Sequence, residues 1–405
     1  MPAPTRFRER IALYALLTSL TSVSIDALLP GLRAIGVDLG ISPPLSTQHV
    51  ISLFILGMAF GELLFGPLSD ALGRKKALIL GLCVYAAGTV VAMLAGSLEM
   101  VIVGRFLQGV GVSGPKIATR AMIRDQFEGD AMARVMSFMF TLFILVPMLA
   151  PALAQAIIAA AGWRSVFMFY LVMAGVLGLW LTLRQPETLP PERRIAFRPR
   201  LLLRNGHRIL TNRRVAPLIL ATGLVFGAQL LYLSTAADLF FDAYGIADTF
   251  PLYFALLATG IGLASFLNSR MVQRFGMDAM ARAGFLGLTL SGFAMLLAVL
   301  AFGGHLPFTV LLALTYAAFF AIGILFGNLN AMAMRSLAQV AGLGASLIAS
   351  GSSLVATGFA VTLGRFYDGT PLALACGLLI AGVLSLILSA FAASGPAEPV
   401  AAVSA

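Results

Sequence analysis

The stretch Gly66-Pro67-Leu68-Ser69-Asp70-Ala71-Leu72-Gly73-Arg74-Lys75-Lys76 decides how this chain folds. It joins two apolar runs, at about 48–68 and 77–96. Each is close to the roughly 20 residues that a helix needs to cross the hydrocarbon of a bilayer. Gly66 and Pro67 read as the end of one helix, since proline brings no N–H and glycine no side chain. Gly73 permits a tight reversal into the next helix. Asp70 is then placed at a helix N-terminus, where the macrodipole favours an anion. Arg74, Lys75 and Lys76 hold the turn on the positive side of the membrane.

Working outward, similar apolar runs fall at about 11–31, 99–119, 135–160, 165–183, 215–237, 250–268, 281–302, 308–331, 342–364 and 371–393. With the first two they make twelve. Composition agrees: of 405 residues 60% are hydrophobic and 11% charged, with a mean hydropathy of +0.96. A soluble domain is about 25% charged, so too little polar surface exists to cover a water-soluble globule. The first run lacks a small-residue cleavage site after it and reads as a retained helix. Cys83 and Cys376 both sit inside apolar runs, as packing residues without metal-ligand spacing.

The net charge of +10 would suit nucleic acid, but the basic residues stand between the spans. With the N-terminus inside, 22 Lys and Arg fall on the cytoplasmic side, from Arg6 to Arg335, against Arg33, Arg164 and Arg365 outside. One missed helix would invert every later loop, so this split supports twelve spans with both termini cytoplasmic. Nucleic acid is excluded as the partner, and the lipid bilayer takes its place. The Arg- and Pro-rich connection 185–214, held at the anionic inner leaflet, divides a bundle over 1–184 from one over 215–405 with a short tail. Aligning Gly73 with Gly276 also pairs Gly57 with Gly260, as a duplicated six-helix unit would. The expected fold is all-α and integral to the membrane, with twelve transmembrane helices in two pseudo-symmetric six-helix bundles and a substrate site between them.

Few polar groups lie within the spans. Arg105 and Gln108 are three apart on one helix face. Arg105 either snorkels to the outer surface or faces a polar interior and marks a pathway. Asp26 follows Ser19 and Ser22 on one face of the first span, as a proton carrier or as a cap before Pro30. Glu62 either pairs locally with Lys116 or takes part in transport. The second half offers Gln229, Asn328, Asn330, Ser350, Ser352 and Ser353. No phosphate-cradling loop is present, and His49, His207 and His305 are far apart. These features speak against an ATP-driven pump and a membrane-embedded enzyme.

The 66–76 stretch resembles the loop signature between helices two and three of the major facilitator superfamily. Val103 to Gly111 is similar to the R-x-x-Q-G signature of its drug:proton antiporters. Asp26-Ala27-Leu28-Leu29-Pro30, Ala118 to Glu128, Pro147, Ala150-Pro151-Ala152 and Gly162 to Phe167 look like the Bcr/CflA-type multidrug efflux subgroup. The resemblance implies a proton-coupled antiporter of lipophilic or cationic small molecules in the bacterial inner membrane. It would act as a monomer, with no cofactor and with the proton gradient as its energy source. The residues and the resemblance together assign roles, although many relatives carry an uncharged polar residue where Glu62 stands. Asp26, Arg105 and Glu62 would serve proton coupling; Ser22, Asp26, Gln108, Gln229, Asn328 and Asn330 the substrate cavity. Gly66, Asp70, Gly73, Arg74 and Arg124 would form a conformational latch, and Pro147 and Pro151 a hinge in helix five. Ala154 and Gln155 stand where the antiporter signature often carries glycines, which leaves the direction of transport open. A transporter of one defined metabolite is the rival reading, with an embedded enzyme or a receptor further off.

Overall fold

Backbone groups inside hydrocarbon must be satisfied within their own segment, and helices do this. The computed structural model describes residues 7–40, 45–127, 129–195, 197, 199–246, 248–337 and 341–394. Among them every regular element is helical. In the first half these are α1 (Phe7–Asp26), α2 (Leu32–Leu39), α3 (Gln48–Leu72), α4 (Arg74–Met93), α5 (Leu98–Gln126), α6 (Gly129–Ala161) and α7 (Arg164–Arg184). A short helix, α8 (Pro199–Leu210), precedes α9 (Val215–Asp238), α10 (Phe250–Phe275), α11 (Met277–Ala301), α12 (Phe308–Met334), α13 (Ala341–Gly364) and α14 (Leu372–Ser394). Ten spans among the described residues are long and apolar enough to cross a membrane. The long helices α5 and α6 bring the count to twelve: α5 is rich in charge, and α6 is described as an apolar run over Leu145–Ala161. Arg6, Arg198 and the tail 395–405 lie outside the described residues.

The chain forms two compact units, Met1–Arg198 and Pro199–Ala405. The connection 185–214 is thus shared between them. In the first unit α3 and α4 pack on α5, α4 on α7, and α1 on α5, α6 and α7. In the second α10 and α11 pack on α12, α11 on α14, and α9 on α12, α13 and α14. The two lists are the same list shifted along the chain. Gly73 (φ 99°, ψ 155°) and Gly276 (φ 81°, ψ 159°) each join two helices in the left-handed conformation that favours glycine. The duplication read from Gly57/Gly260 and Gly73/Gly276 is present in the backbone.

The 66–76 turn differs from expectation in one respect. α3 does not stop at Gly66-Pro67; it continues through Pro67 to Leu72. A membrane helix tolerates proline where neighbouring groups satisfy the carbonyl it frees, and the true stop is Gly73. Asp70 therefore sits in the last turn of α3, not at a helix N-terminus. The anion at the start of α4 is Glu187, from the loop after α7, which accepts from Arg74 N (2.9 Å) and Lys75 N (3.1 Å). A carboxylate on the first free N–H groups of a helix is favoured by both hydrogen bonding and the dipole.

Between apolar helices in lipid there is little hydrophobic drive, so close backbone approach carries the packing. α5 is wedged between α3 and α4 by glycines on all three. A Cβ on Gly57 would collide with the Phe106 carbonyl, one on Gly109 with the Phe54 carbonyl, and one on Gly111 with the backbone of Tyr85. Gly175 in α7 has open space where a Cβ would go. Gly109→Ala should therefore destabilise the protein by about 1–3 kcal/mol or more through overpacking. Gly175→Ala should be neutral or stabilising by about 0.5–1 kcal/mol. Thermal-shift midpoints of the two purified variants measure the contrast.

Candidate functional site

The first half carries a buried polar network at the end of its bundle where α1 stops. α1 ends at Asp26 because Pro30, two residues into the next turn, cannot donate to the carbonyl four residues before it. The chain passes through a single 3-10 turn, Leu29–Gly31, into α2. Arg105 comes in from the second turn of α5 and is fully buried. Its Nη2 donates to the Ser24 carbonyl (2.9 Å), Nε to the Val50 carbonyl of α3 (3.2 Å), and Nη1 to Gln108 Oε1 (2.8 Å). The guanidinium lies 4.2 Å from the centre of the Phe54 ring, a cation–π contact. Of the two readings left open for Arg105, the interior one holds: the side chain does not snorkel.

Gln108 passes the network on. Its Nε2 donates to Thr89 Oγ1 (2.7 Å) on α4, and Thr89 donates to the Tyr85 carbonyl (2.7 Å). The Tyr85 hydroxyl meets Ser24 Oγ at 2.7 Å. Ser24 spends its own proton on the Leu20 carbonyl (2.6 Å), so Tyr85 is the donor. Tyr170 of α7 donates to the carbonyls of Val23 (3.2 Å) and Ser24 (3.4 Å). The last turn of α1 is thus held by α4, α5 and α7. Ser24, Tyr85, Thr89 and Tyr170 escaped the sequence reading. A hydroxyl in an apolar span, with Tyr85 and Thr89 one helical turn apart, was the available signal.

Asp26 lies two residues beyond this grip. It is 6% exposed and forms no hydrogen bond or ion pair among the described residues. Arg105 does not touch it; the arginine's hold is on the α1 backbone. Ser22 is half-buried. Glu62, fully buried on α3, pairs with Lys116 Nζ of α5 at 2.5 Å, so the ion pair foreseen for it is formed.

At the turn between α3 and α4, Arg74 is buried and pairs with Asp70 and, at 3.1 Å, with Asp125 Oδ2 of α5. It also donates to Ser69 Oγ (3.1 Å). Thr188 Oγ1 donates to Asp125 (3.2 Å), and Ile195 N to the Asp70 carbonyl (3.1 Å). Gly73 shapes this turn, whereas Gly66 lies inside α3; Arg124 does not join it and is exposed. Pro147 and Pro151 both lie inside α6, the first half-buried and the second buried. Two such prolines four residues apart remove successive i→i−4 bonds from one helix.

In the second half Asn328 is buried and donates to Asn268 Oδ1 (2.7 Å) and the Ile324 carbonyl (2.9 Å). Asn330, two residues on, is exposed on another face, as helical spacing dictates. Gln229 is half-buried on α9.

Twelve spans, two like bundles and charges buried within the first define a membrane transporter of the major facilitator type. The sequence profile of the Major Facilitator Superfamily matches residues 14–361, and the chain belongs to that superfamily. The Bicyclomycin resistance protein homolog of Haemophilus influenzae is 31% identical over 340 residues, 83% of each chain. The Chloramphenicol resistance protein CraA of Acinetobacter baumannii is 27% identical over 318 residues, 77% of this chain and 74% of that one. Among solved structures, the xylose transporter XylE from E. coli, partially occluded and inward open, shares the fold. Its TM-score is 0.71 at 14% identity, over 95% of this chain and 96% of that one. The protein is a multi-pass protein of the inner membrane.

The network itself can be tested. Tyr85→Phe removes one hydroxyl and should cost about 1 kcal/mol. Combined with Ser24→Ala it should cost little more than the larger single change, since both break one bond. Arg105→Lys replaces a fork reaching three acceptors by a single ammonium and should cost more, about 1.5–3 kcal/mol for each charged bond lost. Thermal-shift midpoints in detergent rank the variants.

Proposed function

We propose that this protein is a proton-driven exporter of lipophilic or cationic small molecules, drugs among them. The observation that carries the reading is Asp26: a buried carboxyl with no hydrogen bond or ion pair among the described residues, at the point where α1 breaks. A polar group out of water and unpaired is costly, and its cost differs greatly between the charged and neutral forms. Gaining or losing a proton at Asp26 therefore changes the favoured placement of the α1 end. A substrate competing for the same place would be exchanged for the proton. Membrane-embedded acids of this kind mark proton relays.

The other residues take supporting roles in this reading. Arg105 positions the last turn of α1, with Gln108, whose amide is already bonded at both its oxygen and its nitrogen, holding the guanidinium. Glu62 with Lys116 forms a charged pair nearer the inner side, the third site given to proton coupling. Ser22, Gln229 and the exposed Asn330 remain for the substrate cavity, and Asn328 steadies α10 against α12. Gly66, Asp70, Gly73 and Arg74 form the latch, with Asp125 in place of Arg124, and Pro147 and Pro151 serve as a hinge in α6. The protein works as a monomer with both termini in the cytoplasm. The basic loops support this orientation, and the names of the relatives, resistance to bicyclomycin and to chloramphenicol, support export as the direction.

Asp26→Asn should abolish uphill, proton-driven transport in proteoliposomes under an imposed pH gradient, while leaving expression and the thermal-shift midpoint close to the parent's. Full drug resistance in cells carrying this variant would show that the proton is carried elsewhere.

A further inference from the structure

The helix α8 has a face that the transport reading leaves unused. Its inner side is accounted for: Ile209 is fully buried, and Gly206 is buried facing the side chain of Leu347 on α13. The opposite side is exposed and divided. Arg200, Arg204 and Arg208 recur every fourth residue, so they fall within an arc of about 80°, and His207 lies about 20° beyond it on the Arg200 side. Along one edge of that arc stand Leu203, 74% exposed, and Leu210, 49% exposed, seven residues apart and so in one strip.

Leucines exposed in one strip beside arginines, on a helix between two membrane spans, give α8 an apolar edge next to a basic one. In the plane of a membrane surface the pattern is the favoured one. There the leucines enter the acyl boundary and the guanidiniums meet the phosphates above it. Guanidinium matches phosphate in both charge and geometry. We propose that α8 is an interfacial helix that binds the headgroups of anionic glycerophospholipids through Arg200 and Arg204, with Leu203 and Leu210 inserted below them. Because Gly206 seats α8 on Leu347 of α13, a lipid held there is held by the second bundle itself and not by a loose tether. The inference does not rest on the protein's substrate or on the direction of transport.

The test uses the full-length protein in vesicles. A tryptophan placed by Leu203→Trp reports contact with brominated lipid, read as the extra quenching over the parent, whose own tryptophans are Trp163 and Trp180. The expected result is stronger extra quenching by brominated phosphatidylglycerol than by brominated phosphatidylcholine. That preference should fall by about fivefold for each arginine removed in Arg200→Gln and Arg204→Gln, and weaken in high salt. Equal quenching by the two lipids would overturn headgroup recognition. No extra quenching from either would place the helix away from the bilayer, as a partner in solution would require. Should Leu203→Trp fail to fold, phosphatidylglycerol carried through purification by the parent and by Arg200→Gln/Arg204→Gln decides the matter. Equal retention overturns the proposal.

Discussion

A guanidinium buried among membrane helices has five N–H groups to satisfy and no water to satisfy them. Arg105 meets this demand with carbonyls and an amide, not with a carboxylate, and the rest of the first bundle is arranged around that fact. The carbonyl it takes from Ser24 is available because α1 is about to end, and the one from Val50, in the first turn of α3, accepts through the second lone pair that every backbone carbonyl carries. The close approach that lets one side chain reach both comes from the glycines that seat α5 against α3 and α4. Helix packing and the polar network are therefore one constraint: widen the α3–α5 contact and the arginine loses its acceptors.

The second bundle shows what remains of the design without the charge. Tyr316 faces Gly260 as Phe106 faces Gly57, so the residue before it, Thr315, stands where Arg105 stands in the first. It is buried too, but uncharged. Tyr85 and Lys116 have no ionisable counterpart in the same register, which reaches Leu288 and Phe326. Backbone geometry has been kept across the duplication while the buried charges Arg105 and Glu62 and the Tyr85 hydroxyl belong to the first half.

Much of this was written in local signals. The twelve spans follow from run length, the Gly73 and Gly276 turns from glycine at a reversal, and the Arg105–Gln108 bond from a spacing of three on a helix. The Glu62–Lys116 pair was legible because two charges in hydrocarbon have few other options. What could not be read joins residues remote in sequence: Ser24 to Tyr85 across 61 positions, Arg74 to Glu187 across 113. Nothing local marks Ser24 as the serine that matters over Ser19 or Ser22, since that choice is made by which face of α1 meets α4 and α7. The misplaced end of α3 has the same origin. Pro67 is a strong local stop, and a membrane helix can carry it onward to a glycine that stops it better.

Glu187 also bears on where the chain may be divided. Its carboxylate caps α4, Leu189 behind it is buried, and Ile195 bonds back to the turn. The residues that follow α7 are structural members of the first bundle. A first half produced as a separate fragment ending at Arg184 would therefore begin α4 with bare N–H groups and leave Asp125 without Thr188. One ending at Arg198 keeps all of these, so the natural seam between two co-expressed halves falls there, just ahead of α8.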